Sequence, residues 1–195
     1  MCNVSDMSAA LPLQEALGGQ IRRLRRDDYD QLVDAGAFDD EPIELLEGFL
    51  VEMSPEGPPH VFVIDCLMEL LVPALAGRYM VRIGHPLALG DLSEPEPDLA
   101  VVQRGDYRRS HPTTALLIIE SASSSRRQDL GFKAELYARY GIPEYWVVDL
   151  DAVQVVVHTQ PGPKGYAKVT RHGAGSQLTP TTIDDLTLRV DDFLP

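Results

Sequence analysis

The sequence is poor in cysteine and contains no long uninterrupted apolar run. Its two cysteines, Cys2 and Cys66, are too few and too widely spaced for a disulfide framework or a zinc site. Cys66 lies in an apolar helical run, so we expect a buried free thiol. The N-terminus lacks a basic start followed by an apolar core, and no apolar run reaches the roughly 18 residues of a membrane span. The chain is therefore predicted to be cytoplasmic, with no membrane partner.

Positive charge is also scarce. The 17 Lys and Arg residues face 30 Asp and Glu residues, which gives a net charge of −13. Broad, non-specific binding of nucleic acid requires positive surface and is therefore disfavoured. An enzyme whose bound metal and local arginines handle phosphate is not excluded. The length of 195 residues predicts a loosely held arm over residues 1–20 and a single domain over residues 21–195.

The apolar patterning predicts an α+β (α/β) fold with one mixed sheet flanked by helices. Helices are expected at 26–35, 60–76 and 128–140, and hairpins at 41–53 and 144–159. Further strands are expected at 79–83, 86–89, 99–102, 115–119 and 166–169. The apolar positions of the tail, residues 173–195, are expected to pack on this core.

Two carboxylates stand at the ends of neighbouring apolar runs. Asp98 opens the run 99–102, and Glu120 closes the run 115–119. If the runs pair antiparallel about the middle of their connection, Asp98 lies opposite Glu120, on the same face of the sheet. Carboxylates so close repel unless a cation or a proton lies between them. The pattern predicts a divalent-metal site or an acid pair, and the alternative is two solvated strand ends.

Lys133 lies in the predicted helix 128–140, on the same stripe as Leu130, Ala134 and Tyr137. A lysine in a core-facing stripe either extends to the rim or reaches a buried anion. The alternative is an exposed ion pair with Asp129, four residues away, worth only a few tenths of a kcal/mol. Asp129 could also orient Lys133.

Two further residues are weaker candidates. Glu44 alternates with Ile43 and Leu45 in the first hairpin, so its side chain points to the opposite face. His60 stands where the second helix is expected to begin, after a proline-rich loop. Each alone is more typical of structure than of function.

Several segments, in order, carry a family resemblance: residues 44–48, Met53-Ser54-Pro55, His60, Pro97-Asp98, Leu117-Ile118-Ile119-Glu120, Asp129 with Lys133 and Tyr137, and residues 141–149. Together they resemble the Uma family of restriction endonucleases, in the PD-(D/E)XK nuclease superfamily, over roughly residues 25–195. The segment Gly141-Ile142-Pro143-Glu144-Tyr145-Trp146 is the most specific part.

The resemblance implies a restriction endonuclease-like core, with Asp98 and Glu120 as ligands of Mg²⁺ or Mn²⁺. It implies Glu44 and His60 as further catalytic-site residues and Lys133 as the catalytic lysine. The usual superfamily lysine stands two residues after the second acid, where this chain has Ala122. Ser121 and Ser123 also stand where the family often has Val and an acid.

The favoured hypothesis is a metal-dependent endonuclease that hydrolyses DNA, with Arg126 and Arg127 meeting the DNA backbone. The apolar hairpins and the single Trp146, together with the resemblance, also suggest a homodimer. Two alternatives remain: a nuclease fold that binds nucleic acid or protein without cleaving it, and a metal-dependent hydrolase of small nucleotides.

Overall fold

The computed structural model describes residues 21–123 and 125–194. The arm predicted over residues 1–20 lies outside the described residues. The helices and strands, in chain order, are α1 (Arg26–Asp34), β1 (Ile43–Leu46), β2 (Phe49–Glu52), α2 (Pro58–Leu75), β3 (Tyr79–Ile83), β4 (Leu99–Gln103), β5 (Leu117–Ala122), a π-helical segment (Gln128–Lys133), α3 (Ala134–Arg139), β6 (Glu144–Asp149), β7 (Gln154–Gly162), β8 (Gly165–His172), β9 (Gln177–Leu178), β10 (Leu188–Arg189) and a 3₁₀ turn (Val190–Asp192).

A six-stranded mixed sheet forms the centre, in the order β3-β4-β5-β6-β7-β8. The β5–β6 pair is parallel and the others are antiparallel. The observed pairing of β4 with β5 sets Leu99 against Ile119 and Val101 against Leu117. One step further along this register places Asp98 opposite Glu120, so the predicted register is confirmed.

The sheet is covered on both faces because its central strands are apolar on both sides. One face packs against α2 and the C-terminal tail, through buried residues such as Leu67, Leu99 and Ile119. The other face packs against α3, through Ile118 and Tyr137 among others. Side chains alternate along a strand, so Glu120 shares the α3 face with Ile118.

The segment Gly141-Ile142-Pro143-Glu144-Tyr145-Trp146 links the sheet to the tail. Glu144 is buried, and it accepts hydrogen bonds from Trp146 Nε1 at 2.6 Å and from the Thr181 backbone N–H at 2.7 Å. Tyr145 donates to the backbone carbonyl of Asp129 at 3.1 Å. This segment therefore stabilises the fold and the π-helical segment.

The structure corrects several boundaries. The strand predicted at 86–89 is wrong, because Leu87 N–H donates to Pro95 and Leu89 N–H to Ser93, which closes a compact loop. The second helix begins at Pro58, two residues before the prediction, and Pro73 lies inside its last turn. Cys66 is a free thiol but only half-buried.

α2 is long and apolar enough to cross a membrane by length and composition, with 18 residues and a mean hydropathy of 1.5. However, Val63, Ile64, Leu67, Leu71 and Leu75 bury its inner face in the core. A soluble core helix passes the same test, so this helix is weak evidence for a membrane.

Candidate functional site

Backbone hydrogen bonds hold Asp98, the residue before β4, and Glu120, within β5, in a reciprocal arrangement. The Asp98 N–H donates to Glu120 Oε2 at 3.2 Å, and the Ser121 N–H donates to Asp98 Oδ2 at 2.6 Å. Each acid therefore accepts a hydrogen bond from the other acid's strand. The register of the strands fixes both carboxyl groups before any ligand arrives.

Lys133 lies at the centre of the acids on the α3 face. Its Nζ is 3.1 Å from Glu120 Oε1, 3.3 Å from Glu44 Oε1 and 4.0 Å from Asp129 Oδ1. The Lys133 side chain is only 8% exposed. The expected reach of Lys133 to Glu120 is confirmed, and the alternative of an exposed pair with Asp129 is wrong, because both residues are buried.

A π-helical segment, rather than the expected regular α-helix, carries Lys133. Gln128 and Lys133 are five residues apart and would lie about 140° apart around an α-helix. Here both approach the same atom, since Gln128 Nε2 donates to Glu44 Oε1 at 3.2 Å. The wider π turn brings these two side chains to one side. Such turns are frequent at functional sites.

Glu44 and Tyr137 complete this network. Glu44 Oε2 accepts the Glu96 N–H at 3.2 Å, so both of its oxygens have partners. The Tyr137 hydroxyl donates to Glu120 Oε1 at 3.1 Å. We call this buried set, Glu44, Glu120, Asp129, Lys133 and Tyr137, the lysine side of the site.

His60 contacts Asp98 Oδ1, the carboxylate oxygen that does not accept the Ser121 N–H. Its Nε2 is 3.4 Å from Asp98 Oδ1 and 3.7 Å from Glu56 Oε1. The Nε2 atom is buried, and among the described residues it has no partner in hydrogen-bonding geometry. We call Glu56, His60 and Asp98 the histidine side of the site. The structure thus brings all five predicted site residues into one region.

A cavity of about 600 Å³ joins the two sides. Its lining contains seven carboxyl groups against two basic side chains, Lys133 and His60; the acids are Glu44, Glu56, Glu96, Asp98, Glu120, Asp129 and Asp151. The described lining therefore carries a large excess of negative charge in a partly buried space.

Burial shifts the proton affinities in the cavity. It raises the pKa of Glu120 well above its usual range, against the opposing charge of Lys133. It also raises the pKa of Asp129 to about 6. Burial alone would lower the pKa of Lys133, but Glu120, Glu44 and Asp129 outweigh it and keep the ammonium charged. For His60, burial lowers the pKa, but Asp98, Glu56 and the Ser121 backbone together outweigh burial and raise it.

Arg126, one of the two arginines expected to meet DNA, forms an ion pair with the fold. Arg126 Nε donates to Asp149 Oδ2 at 2.8 Å, at the fully buried end of β6. The Arg126 side chain nevertheless remains 46% exposed. The DNA contacts expected of Arg126 and Arg127 stay predictions.

A family model described as "Uma2: Putative restriction endonuclease" matches residues 26–191. This match spans most of the chain. The chain belongs to the Uma2 family. A search of curated proteins returns no match.

A crystal structure of a putative nuclease belonging to DUF820, from Anabaena variabilis, is similar to this Uma2 protein. The TM-score is 0.65 at 14% identity, over 78% of this chain and 89% of that one. At this identity the similarity establishes the fold. The α+β architecture and the nuclease-type fold expected from the sequence are confirmed.

The residues of this Uma2 protein fit a divalent metal, which restriction endonuclease-like families generally use. Oxygen ligands from carboxylates suit Mg²⁺ and Mn²⁺. The seven acids of the cavity exceed the charge that Lys133 and His60 can supply together. The cavity therefore favours a bound cation.

Sequence reasoning missed three residues here. Gln128 was outside the predicted stripe, which assumed a period of 3.6 residues. Glu96 is largely buried, and burial raises its pKa. Glu56 lies in a proline-rich loop, and its spacing of four from His60 was the one available signal.

Proposed function

We propose that this protein is an endonuclease that hydrolyses phosphodiester bonds in DNA with the help of Mg²⁺ or Mn²⁺. The observation that carries the proposal is the convergence of Asp98, Glu120 and Lys133 on one concave, strongly acidic cavity. Membership of the Uma2 family and the nuclease-type fold support the same class of reaction. The family also implies a nucleic-acid substrate.

Asp98 and Glu120 would hold the metal ion where the start of β4 lies beside Glu120 of β5. An ion bound there would polarise the phosphate and make water a better nucleophile at neutral pH. The ion would also reduce the electrostatic repulsion between the acidic cavity and the negatively charged DNA. This accounts for how a protein with a net charge of −13 could accept DNA.

Lys133 would stabilise the negative charge that develops on the phosphate, because its ammonium is held in place before the substrate arrives. Glu44, Asp129 and Tyr137 would act as positioning residues. Glu44 and Asp129 keep Lys133 charged and oriented, and Tyr137 fixes Glu120 Oε1. His60 would orient Asp98 or approach a phosphate oxygen from the other side.

The test is cleavage of single-stranded, duplex and branched DNA and of a small nucleotide diester, with Mg²⁺ or Mn²⁺. Wild-type protein is expected to cut DNA internally, and Asp98→Asn is expected not to. Glu135→Gln, which changes an exposed acid on α3, is the matched control and should cut like wild type. DNA binding without cleavage would favour the binding module. Turnover of the small diester alone would favour the small-nucleotide hydrolase.

The homodimer and the cytoplasmic location stay predictions. Phe49, Leu50 and Phe62 are large apolar side chains exposed by 40–52%, which is compatible with a contact surface.

A further inference from the structure

The β7–β8 hairpin differs in charge from the rest of the chain. Residues 152–183 contain no Asp or Glu, although the chain has 30 acidic residues. The same stretch contains Lys164, Lys168 and Arg171, and thus two of the chain's three lysines. The hairpin is therefore a local region of positive charge in a protein whose net charge is −13.

The three cations of the hairpin are exposed and are not used to hold the fold together. Lys164 lies in the turn between β7 and β8, and Lys168 and Arg171 lie on β8. Within the described chain, none of the three makes a side-chain hydrogen bond or an ion pair. Exposed arginines elsewhere are often paired, as Arg25 is with Asp91 at 3.0 Å. We call Lys164, Lys168 and Arg171 the basic strip, and its charge is free to bind an external anion.

The register of the sheet places Arg171 in line with the acidic cavity. Glu120 is paired with Val147, Val147 with Val156, and Val156 with Arg171, so the four residues form one row across the sheet. Val147 and Val156 belong to the core on the α3 face. Because paired residues of neighbouring strands project to the same face, Arg171 shares that face with Glu120. Neighbouring strands lie about 4.8 Å apart, so the row spans about 15 Å from β5 to β8.

The basic strip continues from this row along the open edge of the sheet. β8 is the last strand of the sheet and pairs only with β7, so its outer side is accessible to a large ligand. At about 3.3 Å per residue, the strip extends roughly 20 Å from Arg171 to Lys164. Each strand of duplex DNA carries one phosphate per about 3.4 Å of helix axis. A DNA strand that enters the cavity would therefore be level with Arg171 after about four phosphates.

Charge on an edge strand also has a purely structural explanation. Natural proteins place lysine on exposed edge strands because the charge hinders pairing with the edge of another sheet. This explains Lys168, which lies on β8, but not Lys164, which lies in the turn. An acidic side chain would also hinder such pairing, so edge protection does not explain why residues 152–183 contain no acid. The sign of the charge indicates a negatively charged ligand.

We propose that the basic strip is a DNA-docking surface, at which Lys164, Lys168 and Arg171 bind backbone phosphates beside the nucleotides that enter the cavity. The inference rests on the proposed function for the identity of the anion, since the strip itself selects only for phosphate charge. Docking there would supply the positive charge that the acidic cavity lacks, at a distance where it does not compete with the metal ion. Contacts with phosphate carry no sequence information, so the strip would position DNA of any sequence.

The test is the salt dependence of the binding of a fluorescent DNA duplex, measured by anisotropy with Ca²⁺ in place of Mg²⁺ or Mn²⁺. A denaturing gel checks that the DNA stays intact. The triple variant Lys164→Gln, Lys168→Gln and Arg171→Gln should bind more weakly, and its slope of log K against log salt should be shallower by about 2–3, since each phosphate contact contributes about 0.9. The matched control is Arg104→Gln, Arg108→Gln and Arg109→Gln, which removes three charges from the exposed loop after β4 and should keep the wild-type slope.

A wild-type protein that binds no duplex, or a hairpin variant with the wild-type slope, would overturn the docking surface. An equal change in the control would also overturn it, because net charge alone would then explain the effect. Sedimentation identifies a rival ligand, since an unchanged slope with loss of a dimer would assign the strip to a second copy of the chain. DNA cleavage by a variant with an unchanged slope would leave the proposed endonuclease standing. Conversely, strip-dependent binding of DNA that is never cut with Mg²⁺ or Mn²⁺ would support the surface and reject the endonuclease.

Discussion

The two sides of the site are built differently, although they share one cavity. On the lysine side, Glu44 and Glu120 have partners at both oxygens, and Lys133 is surrounded by three carboxylates. On the histidine side, His60 Nε2 is unpartnered among the described residues and Glu56 is exposed. The lysine side is a network of buried, mutually bonded side chains, whereas the side chains of the histidine side make fewer bonds with one another. Asp98 contacts both sides, through His60 and through Glu120.

The largest expected effect is the effect of changing Asp98 on DNA cleavage. Asp98→Asn keeps the size of the side chain but removes the charge that both sides use. We expect DNA cleavage to fall by about 10³-fold, as lost stabilisation of about 4 kcal/mol implies. The measurement is the single-turnover cleavage rate with saturating Mn²⁺. A rate within threefold of wild type would place the chemistry away from Asp98.

The second effect is on stability at the lysine side. Lys133→Ala would leave Glu120 and Glu44 buried without their cation, so we expect a loss of about 3–5 kcal/mol in the free energy of unfolding. Urea denaturation measures this, with Lys164→Ala, in the exposed β7–β8 turn, as the control. A loss below about 1 kcal/mol would contradict the view that Lys133 compensates the buried charges of Glu120 and Glu44.

A double variant sharpens this prediction. Glu44→Gln in the Lys133→Ala background removes one of the buried charges left unpaired. The double variant should therefore be more stable than Lys133→Ala alone, which is the coupling that a double-mutant cycle detects. Simple addition of the two losses would mean that Glu44 and Lys133 do not interact.

Tyr137→Phe tests one hydrogen bond of the lysine side. The change removes only the hydroxyl that donates to Glu120 Oε1, so we expect a loss of about 1.5–3 kcal/mol, typical of bonds to charged groups. Tyr79→Phe, on the edge strand β3, is the matched control. Equal stability of the two variants would show that Glu120 does not depend on Tyr137.

The smallest effect on stability is expected at the histidine side. His60→Ala removes a side chain that is only 15% exposed but whose Nε2 contacts Asp98 Oδ1 at 3.4 Å without hydrogen-bonding geometry, so the free energy of unfolding without metal should fall by about 1 kcal/mol, less than for Lys133→Ala. Metal-free urea denaturation tests this. A loss as large as that of Lys133→Ala would erase the distinction between the two sides.

The lysine side could largely be predicted from sequence, because its residues follow regular periods. Glu120 follows the apolar run 115–119, and its register with Asp98 of the histidine side follows from the connection between the two runs. Lys133 sits in an apolar stripe, and burial follows from that pattern. Gln128 was not predicted as a site residue because a π turn has no separate sequence signature. A π turn changes which side chains lie on the same face of the helix.

On the histidine side, Asp98 and His60 were predicted from sequence, but Glu56 was missed. Glu56 belongs to a loop, and loop conformations depend on tertiary contacts more than on periodicity. The strand wrongly predicted at 86–89 has the same cause. Leu87 and Leu89 are buried, but they are buried by a loop that bonds to Ser93 and Pro95. Burial alone does not distinguish a strand from a packed loop.

Crystals soaked in Mn²⁺, with diffraction recorded at the manganese edge, test the central claim most directly. The account predicts an anomalous peak within about 2.0–2.6 Å of an Asp98 carboxylate oxygen. It also predicts that Lys133 Nζ keeps its contacts with Glu120 and Glu44. Manganese bound only away from Asp98, or a Lys133 released from both acids, would contradict it.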